Sequence, residues 1–354
     1  MGEGPVSRIR VGFVGLGSMG QCAHLANYAV LADCEVAAVA ELREDLGRQV
    51  ARRYGVPRVH RSHREMLASE RLDALVAIQR FETHGQLLPE LLEAGLPVLI
   101  EKPLARSVEV GERLLEESQR TGTPLFVGYH KRSDPAVMAA MAQREDWDSS
   151  GRMGRPRFAR ITMPPGEWIA GGFDPLIRTA EPYPALAADP PPSGMDEEDV
   201  KRHDAFVNYY IHQLNLLRYF LGEGYDVVHA DRAGRLLVVE SASGVPAVIE
   251  MAPWETSVDW QESALLAYDR GWMRVDLPPP LAVNRAGRLT VYEDPADGTP
   301  PREIRPTLPS VHAMRQQAIH FLAAVRGERT PLCRAEEAVE DLRTARRCLD
   351  LLAA

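Results

Sequence analysis

Apolar positions in the first 130 residues fall in short continuous blocks, each followed by a stretch with helical spacing. Residues 8–14, 35–40, 73–79, 96–100 and 124–129 form the blocks. Their length and lack of alternation fit strands buried on both faces of a parallel sheet. Helices are expected at 22–31, 44–54 and 62–68, then from about 83 to a stop at Gly95, and after Ser107 as N-cap. Strand and helix alternating in this way predict a doubly wound parallel sheet over residues 1–130, the Rossmann arrangement.

After about Gly154 the pattern changes. A strand candidate at 157–163 leads into a long irregular stretch and a helix near 203–221. Strands then follow one another at 225–231, 236–241, 245–252, 258–267 and 272–276, with turn signals at Ala233-Gly234 and Ser243-Gly244. Successive strands without intervening helices predict an open, mainly antiparallel sheet. Helices near 311–326 and 335–352 close the chain. Residues 131–354 are therefore expected to form a second α/β domain that binds substrate. An open sheet has a face that must be covered, and pairing of subunits would cover it.

With 354 residues there is room for two cores. No apolar run approaches the roughly 20 residues of a membrane helix. Residues 1–5 lack the basic start and cleavage site of a signal peptide. Cys22, Cys34, Cys333 and Cys348 have no metal-ligand spacing, so reduced thiols, a cytoplasmic location and no bound metal are expected. The net charge of −9 argues against nucleic acid or an anionic membrane as partner.

Two motifs carry chemistry. The first strand runs into Gly15-Leu16-Gly17-Ser18-Met19-Gly20 and then a helix, the order a dinucleotide site requires. Gly15 would allow the tight turn and Gly17 the approach of pyrophosphate. Gly20 would let helix and strand pack closely, and the helix N-terminus would face the phosphates. The second strand ends at Glu41, about 20 residues past the last glycine, where a carboxylate bonds the ribose hydroxyls. NAD is expected rather than NADP, although Arg43 nearby could serve a 2′-phosphate. The second motif is Glu101-Lys102-Pro103, which follows the block at 96–100. Lys102 is one of only three lysines among 41 basic residues. A lysine kept where arginine dominates suggests a site needing an ammonium whose pKa can shift.

With these motifs in this order, the chain resembles the glucose–fructose oxidoreductase and inositol dehydrogenase (Gfo/Idh/MocA) family. The resemblance implies NAD(P)-dependent chemistry at a sugar or cyclitol carbon, and subunits paired as homodimer or homotetramer through the C-terminal sheet. Lys102 matches the family's catalytic lysine, and His212 matches a histidine on a later helix. Asn208 and Asn215 stand where the family usually has aspartates. The stretch from Gln79 to His84 departs from the usual Thr-Pro pair before the matching histidine. Gln79, His84, Glu101 and Lys102 thus join the residues from Gly15 to Gly20 and Glu41 as candidate cofactor contacts. On the substrate side the candidates are Asn208, Asn215, Trp168 and His130. Asp204, Asn208, His212 and Asn215 also fall on one stripe of a helix.

The expected reaction takes a secondary hydroxyl to a ketone, with His212 as general base and Lys102 stabilising the developing alkoxide. Residues 162–204 carry Glu167, Asp174, Glu181, Asp189, Asp196, Glu197, Glu198, Asp199 and Asp204 against Arg178, Lys201 and Arg202. Acidic groups among Trp168, Phe173 and Tyr183 would suit a cationic amino sugar. That points to the family's sugar dehydrogenases of aminoglycoside antibiotic biosynthesis. The alternatives are a neutral sugar or inositol dehydrogenase and a non-enzymatic NAD(P)-binding regulator, against which the presence of both Lys102 and His212 argues.

Overall fold

A computed structural model describes residues 8–353; the leader expectation for residues 1–5 lies outside them. Strands β1 (Ile9–Val14), β2 (Cys34–Ala40), β3 (Val59–His60), β4 (Ala74–Ala77), β5 (Val98–Ile100) and β6 (Leu125–Val127) form a parallel sheet in the order β6-β5-β4-β1-β2-β3. Every residue of β4, β5 and β6 is buried, as continuous apolar runs predict. Between the strands run α1 (π-wound over Met19–Leu25, then α over Ala26–Tyr28), α2 (Glu44–Tyr54), α3 (His63–Ser69), α4 (His84–Leu92) and α5 (Val108–Thr121). Ser62 and Ser107 cap α3 and α5 by accepting from Glu65 N and Val110 N.

The second unit opens with α6 (Pro135–Ser150), a helix that residue spacing did not announce. Its apolar residues form no clean stripe, and Asp134 caps it by accepting from Ala136 N. After β7 (Pro156–Met163) the chain runs without regular structure to α7 (Glu197–Tyr209) and α8 (Ile211–Leu221). One helix was expected at 203–221. There are two, because Tyr210 (φ −93°, ψ −6°) ends the first and starts the second. Strands β8 (Tyr225–Ala230), β9 (Leu236–Ser241), β10 (Pro246–Met251), β11 (Glu262–Tyr268), β12 (Gly271–Leu277), β13 (Arg288–Glu293) and β14 (Arg302–Ile304) join β7 in the order β14-β13-β12-β11-β7-β10-β9-β8. Only β7 with β10 is parallel. Residues 258–261 do not join β11, which starts at Glu262, and β13 and β14 extend the sheet past the strands foreseen. Burial alternates along β11 and β13, so one face is a core and the other is half-exposed.

The chain closes with α9 (Ala313–Val325), β15 (Cys333–Arg334) and α10 (Ala335–Ala353). β15 pairs antiparallel with β6, at the edge of the first sheet. Among the described residues, one compact unit holds 8–129, 172–204 and 317–342; the other holds 130–171, 205–316 and 343–353. The sequence predicts a Rossmann domain at 1–130 and a second domain at 131–354. Residues 172–204 and 317–342, however, pack with the Rossmann sheet rather than with the second unit. Packing explains the later segment. Phe321, fully buried, lies edge-on to Tyr28 and Phe126 at 6.4 and 5.9 Å, and Tyr28 meets Phe13 at 5.1 Å. Edge-to-face pairs of this kind add to the burial energy. Phe321→Ala should lower unfolding free energy by about 3–5 kcal/mol in urea titrations. A loss below about 1 kcal/mol would show that the C-terminal segment is not part of this core.

Candidate active site

The carboxyl ends of β1, β2 and β4 open onto a cavity of about 760 Å³ in the first unit, within the range of small-molecule sites. Gly15, Gly17, Ser18, Met19, Gly20, Glu41 and Gln79 all line it. Gly15 has φ +92°, which L side chains rarely adopt. A Cβ on Gly20 would stand 2.4 Å from the Gly15 carbonyl oxygen, whereas a Cβ on Gly17 would meet nothing within 4 Å. The turn is therefore tight where helix meets strand and open where a pyrophosphate would lie. Helix α1 starts at this turn, and a helix N-terminus favours an anion such as pyrophosphate. These residues fit a dinucleotide.

Glu41 is buried and lies at the end of β2. It accepts from Leu16 N at 2.8 Å and from Arg43 Nε and Nη2 at 2.8 and 3.2 Å. The hydrogen bonds from Arg43 to Glu41 raise the arginine's pKa further, against partial burial. Arg61, Arg64 and Arg80 also line the cavity, and each has a carboxylate partner: Glu44, Glu90 and Glu82. A cleft ringed by arginines thus presents mostly paired charge.

His84, Glu101 and Lys102 do not border this cavity. His84 is buried, with Nδ1 donating to the Leu104 carbonyl at 3.0 Å; burial pushes its pKa down, so the ring is neutral at physiological pH. Glu101 is buried and accepts from His24 Nε2 at 2.7 Å and from the Lys102 amide at 3.1 Å. Burial pushes its carboxyl up, but the His24 bond and the Lys102 ammonium bring it below the ordinary value. Lys102 follows β5 at its carboxyl end, is half-buried, and precedes a cis bond to Pro103.

In the second unit, residues 130–133 form a buried 3₁₀ turn against α8. The His130 ring stands edge-on to the His212 ring at 4.9 Å and 77°. Arg132 Nε donates to Asn215 Oδ1 at 2.7 Å and its guanidinium lies over Tyr219. Lys131 Nζ reaches Glu262 at 2.5 Å, and Glu262 also accepts from Gln213 Nε2 at 2.7 Å and Trp260 Nε1 at 3.2 Å. His130, Asn215 and half-buried His212 thus come together, while Asn208 and Trp168 are exposed. Asp204 belongs to the first unit, where Arg106 Nη2 holds it at 2.8 Å. The break at Tyr210 falls between Asn208 and His212 of the expected stripe. Lys131, Arg132, Gln213 and Glu262 were missed by residue reading, though the rarity of lysine pointed to Lys131 as much as to Lys102.

Residues 9–129 match the oxidoreductase family with an NAD-binding Rossmann fold, Gfo/Idh/MocA. A myo-inositol 2-dehydrogenase from Thermotoga maritima is 27% identical over 232 residues, 66% of this chain and 60% of that protein. An inositol 2-dehydrogenase from Rubrobacter xylanophilus is 34% identical over 177 residues, 47% of this chain and 49% of that protein. The chain thus spans about 60% or less of the length of these relatives. An oxidoreductase from Agrobacterium radiobacter, solved with NAD+, L-tartaric acid and magnesium, superposes with TM-score 0.71 at 13% identity, covering 98% of this chain and 97% of that one. It shares the fold. The match to the family's NAD-binding Rossmann domain is confined to residues 9–129, and the glycine turn, Glu41 and Gln79 that line the cleft fall inside that stretch.

Gly20→Ala should push α1 away from the Gly15 carbonyl, costing about 1–3 kcal/mol and weakening NADH binding about tenfold or more. Fluorescence titration with NADH measures it. Wild-type affinity would mean that the close helix–strand contact does not shape the site.

Proposed function

We propose that this protein oxidises a secondary hydroxyl of a cyclitol or sugar to a ketone with NAD, through Lys102 of the first unit and His212 of the second. The observation that carries the reading is an NAD-type cleft in a chain that keeps a lysine just past β5 and a half-buried histidine set against His130. The names of the Thermotoga and Rubrobacter relatives, both inositol 2-dehydrogenases, favour a cyclitol. A protein that only sensed NAD would need neither side chain.

NAD supplies a hydride acceptor. His212 takes the hydroxyl proton as the carbon gives up its hydrogen with the bonding pair, and an imidazole needs little tuning for that task near neutral pH. Lys102 holds the same oxygen and offsets its developing negative charge. A neutral polyol fits this reading better than an aminoglycoside-type amino sugar. Glu181, Asp189, Asp196 and Asp204 of the acidic stretch hold backbone amides or Arg106, and carboxylates so engaged are poor anchors for a cationic substrate.

NADH absorbance at mildly alkaline pH, with myo-inositol, glucose and aminoglycoside pseudosaccharides as substrates, should show turnover with a neutral polyol. Turnover confined to the cationic compounds would restore the amino-sugar reading, and none with any would favour a regulator. Lys102→Met and His212→Asn should each lower turnover by about two to four orders of magnitude. Turnover near wild type in either variant removes that residue from the mechanism.

Subunit pairing through the second sheet belongs to the same proposal. Its outer face carries Trp272 stacked on Tyr292 at 6.0 Å, with half-exposed Leu265 and Phe158 on neighbouring strands. Light scattering should give at least twice the chain mass, and Trp272→Glu should reduce it. A monomeric wild type would rule the pairing out.

A further inference from the structure

Residues 172–204 are rich in proline and acidic side chains, a composition that usually stays mobile. Here they lie in the first unit and are pinned at several points. The Gln21 side chain, just past the glycine turn, bonds Ile177 both ways, donating to its carbonyl at 3.1 Å and accepting from its amide at 3.0 Å. Arg53 donates to the Pro175 carbonyl at 2.8 Å. Asp189, 1% exposed, accepts from Gly85 N at 2.7 Å in the first turn of α4. Between these points Ile177, Arg178, Thr179 and Tyr183 line the same cavity as the glycine turn.

Glu181 occupies the most telling position. Its two carboxylate oxygens accept from Asp45 N and Leu46 N, at 3.1 and 3.0 Å, in the first turn of α2. Thr179 Oγ1 donates to the same carboxylate at 3.2 Å. Two residues on, the Tyr183 ring lies 5.2 Å from the Arg43 guanidinium, the cation already paired with Glu41. The start of α2 is where a helix offers amides and a positive dipole end to an anion. Close to the ribose-binding carboxylate, that anion would be the 2′-phosphate of NADP, with Arg43 as its natural partner.

We propose that residues 175–189 are a second wall of the cofactor site, and that Glu181 within it sets selectivity for NAD by filling the anion-binding start of α2. The proposal rests on the NAD reading of the cleft. Glu41 alone would leave Arg43 and the α2 amides able to turn toward a phosphate. With Glu181 in place the Asp45 and Leu46 amides are used, and a second negative charge acts on Arg43 beside Glu41. Tyr183 lines the cavity, so Tyr183 is a cofactor-contacting residue and Glu181 a specificity-determining one, both outside the nucleotide-binding strands.

The test is fluorescence titration of the full-length protein with NADH and NADPH. Glu181→Ala should shift the NADPH-to-NADH affinity ratio toward NADPH by about tenfold, the scale of one partly exposed charge interaction. Glu181→Gln keeps the shape and loses the charge, and should shift the ratio in the same direction by less. Tyr183→Ala should weaken both cofactors about equally. An unchanged ratio in both Glu181 variants overturns the proposal, as does a loss of NADH and NADPH affinity in equal proportion, which would mean that Glu181 only supports the fold. Failure of wild type to bind NADH would sink the cofactor reading itself, a result distinct from either.

Discussion

The cofactor cleft depends on one contact, that of Gly20 with the Gly15 carbonyl. A Cβ at Gly20 would stand 2.4 Å from that oxygen, closer than non-bonded atoms allow. Because it is missing, α1 starts against the end of β1, which sets a helix N-terminus beside the cleft. Several other contacts hang on that placement. Leu16 N donates to Glu41, Gln21 reaches the wall segment at Ile177, and His24 donates to Glu101. The last ties the glycine turn to the residue before Lys102, so nucleotide site and candidate lysine share a support.

Charge in the cleft is arranged more by pairing than by sign. Five arginines line it, at 43, 61, 64, 80 and 178, which would suggest a strongly anionic ligand if composition alone were considered. Glu41, Glu44, Glu90 and Glu82 hold four of them. Most of these pairs are partly exposed and contribute little to stability. Their effect is on recognition, since a paired guanidinium is less available to a phosphate.

The second unit solves a different problem. The Lys131–Glu262 pair is almost fully buried, with side chains 6% and 0% exposed. Such a pair is weak evidence for stability, since desolvation offsets attraction. It does fix geometry. Glu262 holds Lys131, beside His130, and Gln213, beside His212, so a single carboxylate anchors both elements that bring the two histidine rings together.

The sequence by itself determined the Rossmann sheet, the glycine turn, Glu41 and most strands of the second sheet. Those signals are local: a glycine that must lack a side chain, a run of apolar residues, an alternation of two. It also singled out Lys102 and His212, by residue rarity and by family resemblance. What it did not contain was long-range pairing. That residues 172–204 fold onto the nucleotide domain rests on Gln21 meeting Ile177 and Asp189 meeting Gly85, contacts between residues more than a hundred positions apart. That Glu181 and Asp189 bond amides at the starts of α2 and α4 follows from the same folding-back. Asn215 drew notice for its spacing from His212, but only its contact with Arg132 explains how the amide is used. Local pattern decides what a segment becomes, and tertiary packing decides which of its charges are left over for a ligand.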